Sequence, residues 1–291
     1  GAPKCGTTSL AGWLGQHPEV FVPELKEPAF FGEDLTRPRR RRTQADYLDL
    51  YAGWTTEPYA LDASTASFYS HTAAEEIAAT APEAKVLIAL RNPVEASYSL
   101  YHQQIYNGME PAKTFEEALS AQEARRANLS PLKVGIRESR VYTQVYALQE
   151  NVTRYVDRFG HSQVRIVLMD DIRQAPERTF AEVCDWVGLS REPLSSMSFT
   201  ARNTAKRARW TWLGALASGP PAWAGRLTAP FLSRDQRLRI RNAVARLNAR
   251  PATNPPIRPE TRARLAEVFE PEVLWLSEFL DRDLSHWLHT E

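Results

Sequence analysis

The sequence predicts an α/β protein, a parallel sheet with helices on both faces followed by a helical C-terminal part, and three observations lead there. Gly1-Ala-Pro-Lys-Cys-Gly-Thr-Thr-Ser-Leu10 is a glycine-punctuated turn that runs into an apolar-periodic stretch. The runs Val86-Leu-Ile-Ala-Leu90 and Val164-Arg-Ile-Val-Leu-Met169 have the length and continuity of strands buried on both faces. Helical periodicity precedes and follows each run, which is the rhythm of right-handed βαβ units.

Each element has its own signal. Leu10, Trp13 and Leu14 recur at helical spacing, and His17-Pro18 ends that helix. Val20-Phe21-Val22 is a short apolar piece, prolines make Lys26-Glu27-Pro28-Ala29-Phe30-Phe31 irregular, and Arg39 to Arg42 form a solvated basic run. Tyr47, Leu48, Leu50 and Tyr51 mark another helix. The Val86 strand ends at Arg91-Asn92-Pro93, where Pro93 suits the first turn of a new helix. Val141, Val145, Leu148, Val152, Tyr155, Val156 and Phe159 outline one helix over 142–159, closed by Gly160. After the Val164 strand, Asp170 and Asp171 form a turn at its carboxyl end. Pro176 then opens a helix bearing Phe180, Val183 and Val187, closed by Gly188. From about Arg202 the chain turns Pro-rich and Trp-rich, with three helices expected near 235–248, 259–269 and 271–280. The expected organisation is one domain over 1–291, with an α/β core in 1–200 and a basic and aromatic loop plus helices in 201–291. The strand that should feed the opening turn is expected to be truncated.

Composition narrows the function classes. The chain has 291 residues, 43% hydrophobic and 24% charged, with a formal net charge of +1. That balance lacks the overall basic field of nucleic-acid binders, so no nucleic-acid partner is expected. Cys5 and Cys184 cannot build a disulfide framework and fit a reducing compartment, which makes the expected location cytoplasmic. No apolar run reaches the length of a membrane span. Trp210, Trp212 and Trp223 with Leu213, Leu216, Leu227 and Phe231 read as core packing, or as a cleft wall for an apolar or sugar acceptor. The same stretch allows contact with a membrane surface, but Gly219-Pro220-Pro221 breaks any long amphipathic helix, so none is expected. The sequence does not set the oligomeric state.

The opening turn has the chemistry of a phosphate cradle: glycines let backbone N–H groups converge, and the following helix aims its positive end at the same point. The spacing is that of a P-loop-like motif, yet Thr7 stands where an ATPase or GTPase carries lysine. The lysine is Lys4, inside the loop, within reach of the bridging oxygen of a shorter diphosphate-like tail. This favours a nucleotide without a γ-phosphate. Pro3-Lys4-Cys5-Gly6-Thr7-Thr8-Ser9-Leu10 resembles the 5′-phosphosulfate loop of sulfotransferases, in a bacterial type similar to the heparan-sulfate and carbohydrate branch. The resemblance implies 3′-phosphoadenosine 5′-phosphosulfate (PAPS) as co-substrate, adenosine 3′,5′-bisphosphate as product, and Lys4, Cys5, Gly6, Thr7, Thr8 and Ser9 as binding positions.

The second constellation is Arg91-Asn92-Pro93-Val94-Glu95-Ala96-Ser97-Tyr98-Ser99. A strand-end arginine and a serine two turns into the next helix lie about 9 Å apart along its axis, a gap a guanidinium can largely close. Together they can grip one phosphate. The stretch resembles the family's 3′-phosphate motif, with Arg91 and Ser99 at the two binding positions; Ala96 stands where many relatives carry arginine. Lys26-Glu27-Pro28-Ala29-Phe30-Phe31 resembles the segment whose glutamate takes the acceptor proton, which makes Glu27 the candidate base and His102 its rival. Ala29 occupies a position that is often histidine. Asp62-Ala63-Ser64-Thr65 resembles the family's acidic strand end, with Ala63 where some glycan-modifying relatives have lysine. Residues 202–209 lie where relatives carry a basic loop over the nucleotide, and Arg207 is the candidate ligand there.

The resemblance implies in-line transfer of a sulfuryl group from PAPS to an acceptor hydroxyl of a glycan, glycolipid or natural-product alcohol, or to an amine. No metal is required, because lysine and amides supply the positive field. A P-loop kinase or NTPase using Mg-ATP is the competing enzyme, with Asp170 as its metal-binding aspartate. A non-catalytic sulfotransferase-like binding protein is the third reading.

Overall fold

The computed structural model describes residues 1–36, 43–127, 135–200, 206–208, 249–251 and 254–289. At its centre β3, Val86–Leu90, runs parallel to β4, Val164–Leu168, in register from Val86 opposite Val164 to Leu90 opposite Leu168. The chain start lies along the other edge of β3, where the Ala2 N–H donates to Ala89 O at 3.0 Å. A Cβ on Gly1 would come within 2.4 Å of the Ala89 nitrogen, so only glycine permits this approach. The opening turn therefore leaves the sheet at the carboxyl end of β3, the rim on which ligands of open α/β sheets sit.

The expected α/β class holds, and several elements fall as read. Helix α1, Thr7–Leu14, follows the opening turn and buries Leu10, Trp13 and Leu14. Pro93 begins α4, Pro93–Tyr106, and Asn92 caps it by accepting from the Val94 and Glu95 N–H groups. Pro176 begins α10, Pro176–Val187, which ends at Gly188 with φ of 92°. The Val20 run is β1, Val20–Phe21, and it pairs in parallel with β2, Tyr59–Ala60, which is too short to carry an alternation in the sequence. Around Tyr47 lie α2, Gln44–Leu48, and a 3-10 turn at Asp49–Tyr51. Helices α3, Ala73–Thr80, α5, Phe115–Ser120, and α6, Gln122–Arg126, complete the first half.

Four expectations need correction. The helix read over 142–159 is two, α7, Tyr142–Val145, and α8, Leu148–Phe159. The break lets the buried Tyr146 hydroxyl reach Pro3 O at 2.8 Å and Ala96 O at 3.1 Å, while Asn151 Nδ2 donates to the freed Gln144 and Val145 carbonyls. Asp170 and Asp171 are not in a turn but in the first turn of α9, Met169–Gln174. The helices read at 259–269 and 271–280 are one, α11, Pro259–Leu280, with Pro271 inside it. A proline forfeits one helical hydrogen bond, but Leu265, Phe269, Val273 and Leu276 hold a single buried face across it. Finally, residues 206–208 of the expected basic loop form β5, Lys206–Ala208, antiparallel to β6, Ala249–Pro251, and β5 lies against α4. The Trp-rich stretch and the helix expected at 235–248 fall outside the described residues, as do Arg39 to Arg42.

Candidate active site

The opening turn is built by two left-handed residues. Lys4 has φ of 64° and Gly6 φ of 87°, so the chain reverses and enters α1 with no side chain capping its N terminus. A helix start uncapped in this way presents N–H groups that have no intrahelical partner. Ser9 N–H already donates to Gly6 O at 2.9 Å, so what Ser9 offers beyond the backbone is its side chain. Cys5 turns the other way: its Sγ donates to Pro3 O at 3.3 Å inside the core, and burial pushes the thiol up to about 12. Only the Cys5 backbone can face a ligand.

Lys4, Gly6 and Ser9 line one cleft of about 560 Å³ together with Arg91, Ser99 and His102. Thus the opening turn and the Arg91 constellation, roughly 90 residues apart in the sequence, line one shared space. The Lys4 amine donates to Gln103 Oε1 at 2.7 Å. Arg91 Nη2 lies 3.4 Å from Glu95 Oε2, and burial followed by the neighbouring Arg173 lowers its guanidinium from the ordinary arginine value. His102 sits edge-on between Tyr98 and Tyr101, at ring-centroid distances of 4.5 and 5.2 Å. Tyr98 donates to Pro255 O at 3.0 Å and so draws the run into α11 over the cleft. Ala96 is fully buried beneath, and its carbonyl accepts from the Tyr146 hydroxyl at 3.1 Å.

The structure adds residues that the sequence did not single out. Gln103 and Tyr106 follow Glu95 and Ser99 at helical spacing on one face of α4, a periodicity that could have found them. Arg173, one turn into α9, and Arg262, in the first turn of α11, reach the same cleft from distant parts of the chain. Nothing local in the sequence announces either.

Glu27 is not among the residues lining this cleft. It lies beside it on the segment 26–29, which is laced to 62–65 by Ala63 N–H to Lys26 O at 3.2 Å and Ala29 N–H to Ser64 Oγ at 2.8 Å. Glu27 Oε2 accepts from Thr65 Oγ1 at 3.3 Å, and its Oε1 pairs with Lys26 at 3.2 Å. Asp62, close by, accepts from Ser64 N–H at 2.9 Å and from the Tyr47 hydroxyl at 3.2 Å; burial nevertheless raises its carboxyl above the usual range. Thr7 and Thr8 open α1 between the two regions, and the Thr8 hydroxyl accepts from Lys26 at 3.2 Å. The Arg207 side chain is outside what the structure describes.

Asp170, the aspartate on which a kinase reading depends, accepts from Trp287 Nε1 at 2.8 Å, and Asp171 is gripped by Nη1 and Nη2 of Arg282 at 2.7 and 2.8 Å. These carboxylates hold the C-terminal segment against α9. Among the described residues no helix is long and apolar enough to cross a membrane.

A family model described as a sulfotransferase domain matches residues 1–211. The chain belongs to the sulfotransferase family, a class of sulfuryl-transferring enzymes, and the kinase reading falls with that assignment. A sulfotransferase from Alicyclobacillus acidocaldarius has a similar crystal structure, with a TM-score of 0.68 and 25% identity over 99% of this chain and 96% of that one. A bifunctional heparan sulfate N-deacetylase/N-sulfotransferase 1 of Caenorhabditis briggsae is 24% identical over 67% of this chain and 23% of its own length. Carbohydrate sulfotransferase 15 of Rattus norvegicus is 34% identical over 35% of this chain and 26% of its length. The chain thus spans about a quarter of the curated relatives it matches.

Proposed function

We propose that the protein transfers a sulfuryl group from PAPS to an acceptor hydroxyl on a glycan, glycolipid or natural-product alcohol. The observation that carries this reading is the single cleft onto which Lys4, Gly6 and Ser9 converge with Arg91 and Ser99. A lysine and a helix start, sharing one cleft with an arginine and a hydroxyl, suit a nucleotide bearing charge at both its 5′ and 3′ positions. PAPS, when bound, supplies an activated sulfuryl group on a phosphate leaving group.

Lys4 and the first N–H groups of α1 stabilise the charge that grows on the leaving oxygen; one such donor is worth about 3 kcal/mol in a transition state. Arg91 and Ser99 hold the remote phosphate, which converts distant binding into alignment of the reacting atoms. Glu27 accepts the hydroxyl proton as the acceptor oxygen forms its bond to sulfur and the donor's bridging S–O bond breaks. Thr7, Thr8 and the Cys5 backbone complete the loop, and Arg207 lies on β5 against the helix that carries Ser99. The burial of α11 in the same core as α1 and α4 supports treating 1–291 as one domain. The curated relatives named above act on heparan sulfate and carbohydrate by their names, which supports a glycan among the acceptors.

The test is incubation with sulfur-labelled PAPS and a panel of sugar, lipid-linked and amine acceptors. A mass gain of one sulfo group on a hydroxyl acceptor is the expected result. Label transfer to amines alone would move the acceptor to the N-sulfation class, and binding of PAPS without any transfer would return the protein to the non-catalytic reading.

A further inference from the structure

Glu95 divides its carboxylate between two arginines that are far apart in the chain. Its Oε2 pairs with Arg91 Nη2 at 3.4 Å, and its Oε1 accepts from Arg262 Nη2. Arg91, Glu95 and Arg262 line the same cleft as Ser99, with side chains 15%, 34% and 21% exposed. Arg173 and Lys4 line it too, so among the described lining residues four lysine or arginine cations face one carboxylate. Gathering like charges in a half-buried space costs free energy, and a single resident anion offsets only part of it. A ligand with more than one negative charge would remove the remainder. Each guanidinium has five N–H donors and gives one hydrogen bond to Glu95, so both can turn further donors toward phosphate oxygens.

We infer that Arg262 is a third ligand of the remote nucleotide phosphate, delivered by α11 beside Arg91 and Ser99, and that Glu95 is a resident anion holding both forks until that phosphate arrives. This rests on the nucleotide reading of the cleft given above. It assigns a binding role to the helical C-terminal part and makes selection between bisphosphate and monophosphate nucleotides depend on a residue about 170 positions from Arg91. Glu95 competes with the phosphate for the same donors, so it lowers affinity while keeping the empty site assembled.

Titration calorimetry with adenosine 3′,5′-bisphosphate and adenosine 5′-phosphate tests this on the wild-type protein and on Arg262→Ala, Arg262→Lys and Glu95→Gln. Arg262→Ala should weaken the bisphosphate about 30-fold and the 5′-phosphate less than about 3-fold, the scale of a lost charge-assisted hydrogen bond. Arg262→Lys should fall between, since it keeps the charge and loses the fork. Glu95→Gln should tighten the bisphosphate a few-fold. Equal losses for both nucleotides, or none for the bisphosphate, would overturn the role of Arg262, and weaker binding in Glu95→Gln would overturn that of Glu95. Should Arg262→Ala fail to fold, Arg262→Lys decides by the same difference between nucleotides. A wild-type protein that binds neither nucleotide would instead bring down the reading of the cleft itself, and this inference with it.

Discussion

Lys26 donates through Nζ to the hydroxyl of Thr8 at 3.2 Å. Thr8 stands in the first turn of α1 and Lys26 precedes Glu27, so the segment bearing the candidate base is fastened to the phosphate-type turn. A cation at a helix N terminus opposes the helix dipole. Here Glu27 sits next to that cation, and an anionic donor arriving at the turn would compensate it further.

Glu27→Gln removes the proposed proton acceptor while preserving the shape of the side chain and one of its two acceptor oxygens. Turnover should drop by about 10²- to 10⁴-fold, the usual scale of general-base loss, with affinity for adenosine 3′,5′-bisphosphate unchanged. His102→Ala should cost far less. If the histidine variant is dead and the glutamine variant active in a steady-state assay, His102 is the base.

Lys4 and Arg91 line one cleft, and on the proposed reading, in which one meets the reacting group and the other the remote phosphate, their losses should differ in kind. Lys4→Ala should lower kcat about 100-fold or more, because its target charge exists only during transfer. Arg91→Ala should chiefly raise the KM for PAPS, by about 30-fold, because it holds a group that does not react. Near-normal kinetics in both variants would remove the nucleotide from this cleft.

Much of this was legible in the sequence because its signals are local. Gly6, Pro93, Gly160 and Gly188 mark backbone events at their own positions, and the Val86 and Val164 runs announce buried strands by composition alone. The break at Tyr146 was not legible: Val145 and Leu148 continue the helical phase across it, and its cause is a hydroxyl reaching Pro3 on a distant loop. Pro271 misled in the opposite sense, since a propensity penalty was outweighed by a continuous buried face. Of the cleft, Lys4, Arg91 and Ser99 were visible through their spacing, whereas Arg173 and Arg262 become neighbours only after the chain has folded.

Both cysteines should resist alkylation in the folded protein. Burial pushes Cys5 to about 12 and Cys184 to about 11. At pH 8 a thiol at 12 is ionised in only about one molecule in 10⁴. Raising the pH through the window from about 9 to 12 should destabilise the fold, because the native state there holds protons that unfolded thiols release. Labelling with iodoacetamide at pH 8 should be slow in buffer and fast in urea; rapid native labelling of Cys5 would contradict its inward orientation beside the phosphate-type turn.

Glu110 and Arg125 form a bidentate pair at 2.6 and 2.9 Å whose side chains are 0% and 2% exposed. Glu110 also accepts from the Tyr142 hydroxyl at 2.7 Å, and Arg125 donates to Arg140 O at 2.9 Å, so the pair joins α6 and α7 beneath α4. Removing one member leaves a buried charge without its partner. Glu110→Ala should therefore cost about 3–5 kcal/mol in urea unfolding, with nucleotide affinity of the folded fraction unchanged, since neither residue lines the cleft. Replacing both, Glu110→Leu with Arg125→Met, removes the charges together and should recover much of that loss, because the desolvation of two ions is then no longer incurred. If the double variant proves as unstable as Glu110→Ala, the pair contributes net stability through its hydrogen bonds to Tyr142 and Arg140 rather than merely avoiding an orphaned charge.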